Sequence, residues 1–235
     1  MTQPRIVSRD EWLTARKQLL SKEKELTRRR DELSAERRAL PWVRVDKGYA
    51  FDTPGGRQTL AELFGGRSQL AVYHFMFGPG WEQGCPSCSW AADNIDANLV
   101  HLNARGVTVV VVSRAPLAQI AAFQKRMGWR FPWVASYGSD FNYDYHVSFT
   151  PEEMAEGKAY YNYGPSGFPS EEAPGVSVFY KDANGEVFHT YSSYARGAEP
   201  LLGAYYFLDV VPKGRDEAGL PFTMAWVRHH DRYGV

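Results

Sequence analysis

A chain of 235 residues with this pattern predicts an α/β fold around a central mixed sheet, and three observations carry that reading. Two apolar runs, residues 70–77 and 107–112, lack the alternation of a half-exposed strand and read as strands buried between helix layers. Between them, residues 89–105 have helical periodicity, with Ile95, Leu99 and Leu102 on one face. Strand, helix, strand of this size makes a right-handed parallel crossover. Farther on, residues 176–180 and 186–191 flank Lys181-Asp182-Ala183-Asn184-Gly185, an antiparallel hairpin with Asn-Gly in its turn.

Residues 1–41 read as a helical extension. Ser8 and Glu11 make a capping-box pattern, Pro41 ends the helix, and Trp12, Leu13, Leu19, Leu20, Leu26, Leu33 and Leu40 form a sparse apolar stripe. Pairs such as Glu25 and Arg29 suit i,i+4 contact, so Arg28-Arg29-Arg30 reads as a solvated face and not as a nucleic-acid patch. The stripe calls for burial on the main domain or in a homodimer formed through this helix.

Residues 42–212 read as the main domain. A strand at Tyr49-Ala50-Phe51-Asp52 runs into the turn Thr53-Pro54-Gly55-Gly56, and a helical turn over 59–64 is closed by Gly65-Gly66. After the crossover comes a helix over 117–127 with Ile120, Phe123 and Met127 inward, then a short strand within 131–135. An aromatic insertion at about 136–170, with a helix over 151–156, is too long for a plain connection; it lines a cleft or covers a sheet edge. A last amphipathic helix from Pro200 or Leu201 to Val211 precedes a tail, 213–235, packed on the domain.

Hydrophobic residues at 44% fill a substantial core, and 27 basic residues against 27 acidic ones give no electrostatic reason for a nucleic-acid or membrane partner. No apolar run is long enough to span a bilayer, and Met1-Thr2-Gln3-Pro4-Arg5 lacks the apolar stretch of a signal peptide. The expected compartment is the cytoplasm, where a lone dithiol stays reduced and is more often catalytic than structural.

That dithiol is the chain's whole complement of cysteine: Gly84-Cys85-Pro86-Ser87-Cys88, after a strand and before a helix. The order matters because a helix start leaves N–H groups unpaired and presents partial positive charge, which favours a thiolate. Pro86 suits the first turn, where its missing N–H costs nothing. A structural zinc site would need four ligands, and no second Cys-x-x-Cys or His-x-x-x-His supplies them. A structural disulfide here would close so short a loop that it removes little unfolded-state entropy. Inert core thiols are the plainer alternative, but Pro79-Gly80-Trp81 and Gly84 describe a loop.

A Cys-x-x-Cys on a crossover helix, then a strand, a Pro-led hairpin and a final helix, resembles the thioredoxin fold, and the extra strand and helix are similar to its peroxiredoxin-like branch, here as a three-layer domain with a long N-terminal helix added. More closely, Glu11-Trp12, Leu40-Pro41-Trp42, His74-Phe75-Met76-Phe77-Gly78-Pro79, Asp140-Phe141-Asn142-Tyr143-Asp144 and Trp226-Val227-Arg228-His229-His230-Asp231-Arg232-Tyr233 resemble bacterial proteins of domain of unknown function family 899, described as dithiol-disulfide oxidoreductases. The resemblance implies that Pro174, in Pro174-Gly175-Val176-Ser177-Val178-Phe179, is a cis-proline beside the sulfurs. Two departures stand out. The dipeptide is Pro86-Ser87 where thioredoxins have Gly-Pro, so their redox poise does not carry over; Gln83-Gly84 stand where a peroxidase would have Thr.

The expected function is thiol-disulfide exchange, with Cys85 as attacking thiolate at the helix N-cap and Cys88 as the resolving thiol. Pro174 and Trp81 are the substrate-binding candidates; Trp81 reads equally as packing. The expected partner is a protein or small-molecule disulfide or thiol, with no cofactor and no metal. His74 reads as a hydrogen-bonded core histidine, and His229-His230 as a solvated pair or a tail dock with Asp231 and Arg232. The rival readings are a peroxidase in which Cys85 becomes a sulfenic acid, a non-enzymatic binding module and a metal chaperone.

Overall fold

The computed structural model describes residues 4–234, which divide into two compact units on either side of the boundary between Pro41 and Trp42. In the first unit, helix α1 (Arg9–Arg38) starts at Ser8 with the full capping box: the Ser8 hydroxyl accepts the Glu11 N–H at 3.3 Å and the Glu11 carboxylate accepts the Ser8 N–H at 3.1 Å. Arg29 meets Glu25 at 2.9 Å, the expected i,i+4 pair. No residue of α1 is buried, and Trp12, Leu19, Leu26 and Leu33 remain 45–52% exposed.

The second unit holds β1 (Val43–Arg44), β2 (Ala50–Thr53), β3 (Gly56–Thr59), β4 (Gln69–His74), α2 (Pro86–Ala104), β5 (Val107–Ser113), α3 (Leu117–Met127), β6 (Trp133–Ala135), α4 (Phe141–Asp144), α5 (Pro151–Ala155), β7 (Ala159–Tyr161), β8 (Gly164–Ser166), β9 (Gly175–Lys181), β10 (Val187–Tyr194) and α6 (Gly203–Leu208). Among the described residues eight strands make one sheet in the order β1-β10-β9-β4-β5-β6-β2-β3. β4, β5 and β6 are parallel and the remaining pairs antiparallel, so the sheet is mixed, with β4 and β5 at its centre. This is the thioredoxin-like order the sequence resembled.

Both faces of the central strands are covered, as their unbroken apolar runs require. On one face Tyr73, Phe75, Val109 and Val111 pack with Ala91, Ala92 and Ile95 of α2 and Ile120, Phe123 and Met127 of α3. On the other, Leu70, Val72, Val110 and Val112 meet Leu63 and Phe64 of a 3₁₀ turn and Phe141 of α4. Gly65 ends that turn at φ 57°, a left-handed position that favours glycine.

Two expectations change. The insertion contains a hairpin, β7–β8, whose turn residues Asn162 and Tyr163 are both left-handed, at φ 52° and 65°. The last helix is not a run over 201–211: a 3₁₀ helix spans Ala195–Leu201, the chain breaks at Leu202 (φ −106°, ψ 66°), and α6 lasts six residues. Just beyond the break Tyr205 is buried, its ring edge-on against Trp90 of α2, 4.8 Å away. The chain then reverses so that Arg215 grips Asp209, at the C-cap of α6, through two bonds of 2.6 and 2.7 Å.

Candidate active site

The dithiol sits where β4 gives way to α2. Past the end of β4 the chain stays beside β5, with the Phe75 N–H on Val112 O at 2.9 Å and the Ala115 N–H on Phe77 O at 2.8 Å. It turns at residues 78–81 and comes back against itself, and the Cys85 N–H donates to Met76 O at 3.0 Å. Gly84 makes that return possible. A Cβ there would lie 2.5 Å from Phe75 Cε1 and 2.9 Å from Phe123 Cε1, so any side chain would have to displace the core rings.

Cys85 is the N-cap of α2 and Pro86 its first residue. The Cys85 carbonyl accepts both the N–H and the hydroxyl of Ser89, each at 2.9 Å, and Ser89 is fully buried. The cap is therefore held from both sides of the residue, leaving the sulfur to face the opening.

The two thiols differ sharply. Cys85 is partly exposed; Cys88, one turn in, is 2% exposed. The Cys88 thiol donating to Cys85, with help from the N–H groups of Cys88 and Ser87 and the Ser87 hydroxyl, outweighs burial and brings the Cys85 thiol down to about 7. Burial, reinforced by hydrogen bonding to Cys85 and its charge, pushes the Cys88 thiol up. Tyr73 hydrogen-bonds Cys88 from below, and burial raises its own phenol well above the usual range. One sulfur is poised to ionise near neutral pH while its neighbour keeps its proton.

A cleft of about 500 Å³ opens over Cys85 and Cys88. Its floor is Tyr73, Met76, Ala91 and Pro174; its wall comes from the 3₁₀ segment, α6 and residues 215–224. Tyr161, from the insertion hairpin, ties floor to wall: its hydroxyl donates to Pro174 O at 2.8 Å and accepts the Ala195 N–H at 2.9 Å. Across the cleft Glu217 Oε1 accepts the Tyr205 hydroxyl (2.8 Å), the Trp226 indole N–H (2.7 Å) and the Met224 N–H (3.0 Å). Ala195 and Met224 adopt left-handed backbone, φ 47° and 71°, which costs on the order of 1–2 kcal/mol for a residue with a Cβ. In each case the N–H of the strained residue is the one bonded to Tyr161 or Glu217.

Of the residues singled out from the sequence, Cys85, Cys88 and Pro174 share this cleft. Among the described residues no peptide bond is cis, so Pro174 meets the cleft in the trans form, which is a correction. Just before it, the Ala173 N–H bonds to Val147 O (2.8 Å) and the Phe149 N–H to Glu171 O (2.9 Å), joining 171–173 to the insertion. Trp81 is not part of the cleft lining among the described residues; its indole N–H donates to Glu171 at 2.9 Å and its ring packs on the core.

His74 is a core histidine, 1% exposed, with Nε2 2.8 Å from the Ser177 hydroxyl; burial pulls it down to about 3. His229 is no solvated residue. It is buried, and Nε2 donates to Gly84 O at 2.8 Å, immediately before Cys85. Arg126 approaches Nδ1 at 3.4 Å and clasps Asp231 through bonds of 2.8 and 2.9 Å. A donor facing Nδ1 and an acceptor facing Nε2 assign the Nε2–H tautomer.

Tyr73, Tyr161, Tyr205, Glu217 and Met224 were missed from the sequence. Tyr73 carried a signal, since it has the strand parity of Phe75 and Phe77, the face toward the cysteine helix. Among the described residues no cluster of three or more His, Cys, Asp or Glu gathers to form a metal site, and no helix is long and apolar enough to cross a membrane.

A family model described as bacterial protein of unknown function (DUF899) matches residues 1–233. No curated protein matches the chain. Similar solved structures include the peroxidoxin BcpB of Mycobacterium tuberculosis (12% identity, TM-score 0.48, 70% of this chain and 94% of that one). Others are the bacterioferritin comigratory protein of Xanthomonas campestris (17%, 0.43, 66% and 88%) and the mitochondrial 2-Cys peroxiredoxin of Plasmodium falciparum (12%, 0.42, 72% and 92%).

Proposed function

The chain belongs to the DUF899 family of bacterial proteins of unknown function, and we propose that its dithiol makes it a dithiol-disulfide oxidoreductase. One observation carries the reading: two sulfurs at one helix start, the outer lowered to about 7 and partly exposed, the inner raised and buried, at the base of a cleft. In the reaction the Cys85 thiolate attacks one sulfur of a substrate disulfide. A Cys85–substrate disulfide forms and the other half leaves as a thiolate. Cys88 then gives up its proton and attacks Cys85 Sγ, expelling the second half as a thiol or thiolate. The dithiol loses two electrons, the substrate gains them, and an external dithiol returns the enzyme to its reduced form.

The donors around Cys85 favour this chemistry over peroxide reduction. They are a thiol, a hydroxyl and two backbone N–H groups, none of them a cation. A thiolate leaves unaided, whereas cleavage of a hydroperoxide O–O bond is favoured by a positive charge beside the oxygens, which these donors do not supply. Trapping tests the assignment. Cys88→Ser should accumulate a covalent adduct on Cys85 when mixed with a disulfide, and mass spectrometry would locate it. An adduct only on Cys88 in the parent chain, or hydroperoxide turnover outpacing disulfide turnover, would overturn it.

A further inference from the structure

We infer that the disulfide accepted by this cleft is a small, uncharged, apolar molecule, neither an anionic peptide disulfide nor a folded protein. The inference rests on the oxidoreductase reading and adds the substrate class. Size is the first argument. The wall supplied by residues 195–202 and 215–224 turns what would be an open helix start into a cleft of about 500 Å³. That volume falls within the range of small-molecule pockets, roughly 300–1,000 Å³.

Charge is the second. The cleft contains Arg196, Glu199, Arg215 and Glu217, yet the inner ones are already matched. Arg215 holds Asp209 through two bonds and Glu199 at 2.7 Å, with its guanidinium 3.7 Å over the Tyr205 ring. Glu217 takes three donors on one oxygen. Arg196 lies at the rim, 85% exposed, and pairs with Glu199 at 3.3 Å. A carboxylate entering the cleft would thus meet two protein carboxylates and no cation without a partner. What the cleft offers is Met76 on its floor and Leu202 and Met224 in its wall, polarizable and apolar surface.

The backbone gives the third argument. An extended peptide is held by adding to a strand edge, but here the edge beside the sulfurs is filled. Residues 171–173 are bonded to 147–149, Pro174 has no N–H, its carbonyl takes the Tyr161 hydroxyl, and the Ala195 N–H is held by the same tyrosine. Binding must come from side-chain contact with an apolar body.

The test is stopped-flow oxidation of the reduced full chain by dibutyl disulfide, glutathione disulfide and insulin, each rate divided by that of dithiothreitol with the same disulfide. The normalised rate for dibutyl disulfide should exceed both others by at least about tenfold. Leu202→Lys, which puts a cation in the wall, should shrink that preference and favour glutathione disulfide, with both thiols of the chain still titrated by a small alkylating agent as proof of an intact dithiol. Equal normalised rates, a preference for glutathione disulfide or insulin, or a preference untouched by Leu202→Lys would overturn the substrate class while leaving the oxidoreductase reading in place. No disulfide reacting faster than with dithiothreitol would remove both.

Discussion

Beneath the sulfurs, main-chain bonds and ring packing do the holding: the Cys85 N–H on Met76, its carbonyl on Ser89, and Gly84 pressed between Phe75 and Phe123. Above them, across the cleft, single carboxylates hold: Glu217 gathers three donors, and Asp209 with Glu199 fixes Arg215. The difference teaches where each region can change. Main-chain geometry repeats with almost any side chain, so the floor is robust except where close approach forbids a Cβ. A wall pinned by a few carboxylates loses several bonds with one substitution, yet can be rebuilt to suit another substrate.

Four substitutions test it. Cys85→Ser has the largest effect: disulfide turnover should fall on the order of a thousandfold or more, because the nucleophile is gone while the wall stays in place. Retained turnover would move the chemistry elsewhere. Gly84→Val should destabilise the chain by about 3 kcal/mol or more, read from the denaturant midpoint, since its Cβ meets Phe75 at 2.5 Å. An unshifted midpoint would show that the floor yields.

Glu172 is a buried carboxylate outside both regions, tying Arg114 beyond β5 to Ser148 of the insertion. It is 1% exposed, bonded to Arg114 and Ser148 at 2.7 Å each, and burial pushes its carboxyl up to about 7 despite the arginine. With the folded value above the unfolded 4.5, the native state holds the proton more tightly. Its stabilising contribution is therefore complete below pH 4.5 and is lost as pH rises through 7, a change of at most ~3 kcal/mol. Glu172→Gln should flatten that part of the stability–pH curve, and a curve of unchanged slope would refute the assignment. Glu217→Ala should act least, costing about 1–2 kcal/mol in the wall, seen as a several-fold rise in KM with the Cys85 alkylation midpoint still near 7.

The contrast also explains what could be read in advance. Cys85 as cap, Pro86 in the first turn, and the inward Ile120, Phe123 and Met127 were legible because each follows from neighbours within a turn or two. The wall was not. Its short 3₁₀ and helical pieces carry no sustained period, and its anchors, only 6 to 16 positions apart, are side-chain bonds that no backbone pattern announces; beyond it, His229 reaches Gly84 across 145 positions. Helix α1 shows the same limit from the other side. Its cap and its ion pairs were local and predictable, but an apolar stripe says only that a surface exists, and no residue of it is buried in the chain. Pro174 was read as cis and is trans, an isomer that its own residues do not announce.

The anchor between His229 and Gly84 has a consequence in time. On the ribosome, residues 85–88 emerge and can complete their helix start well before residues 195–231 are made. Until then the Gly84 carbonyl, next to Cys85, lacks the donor that pins it in the finished fold.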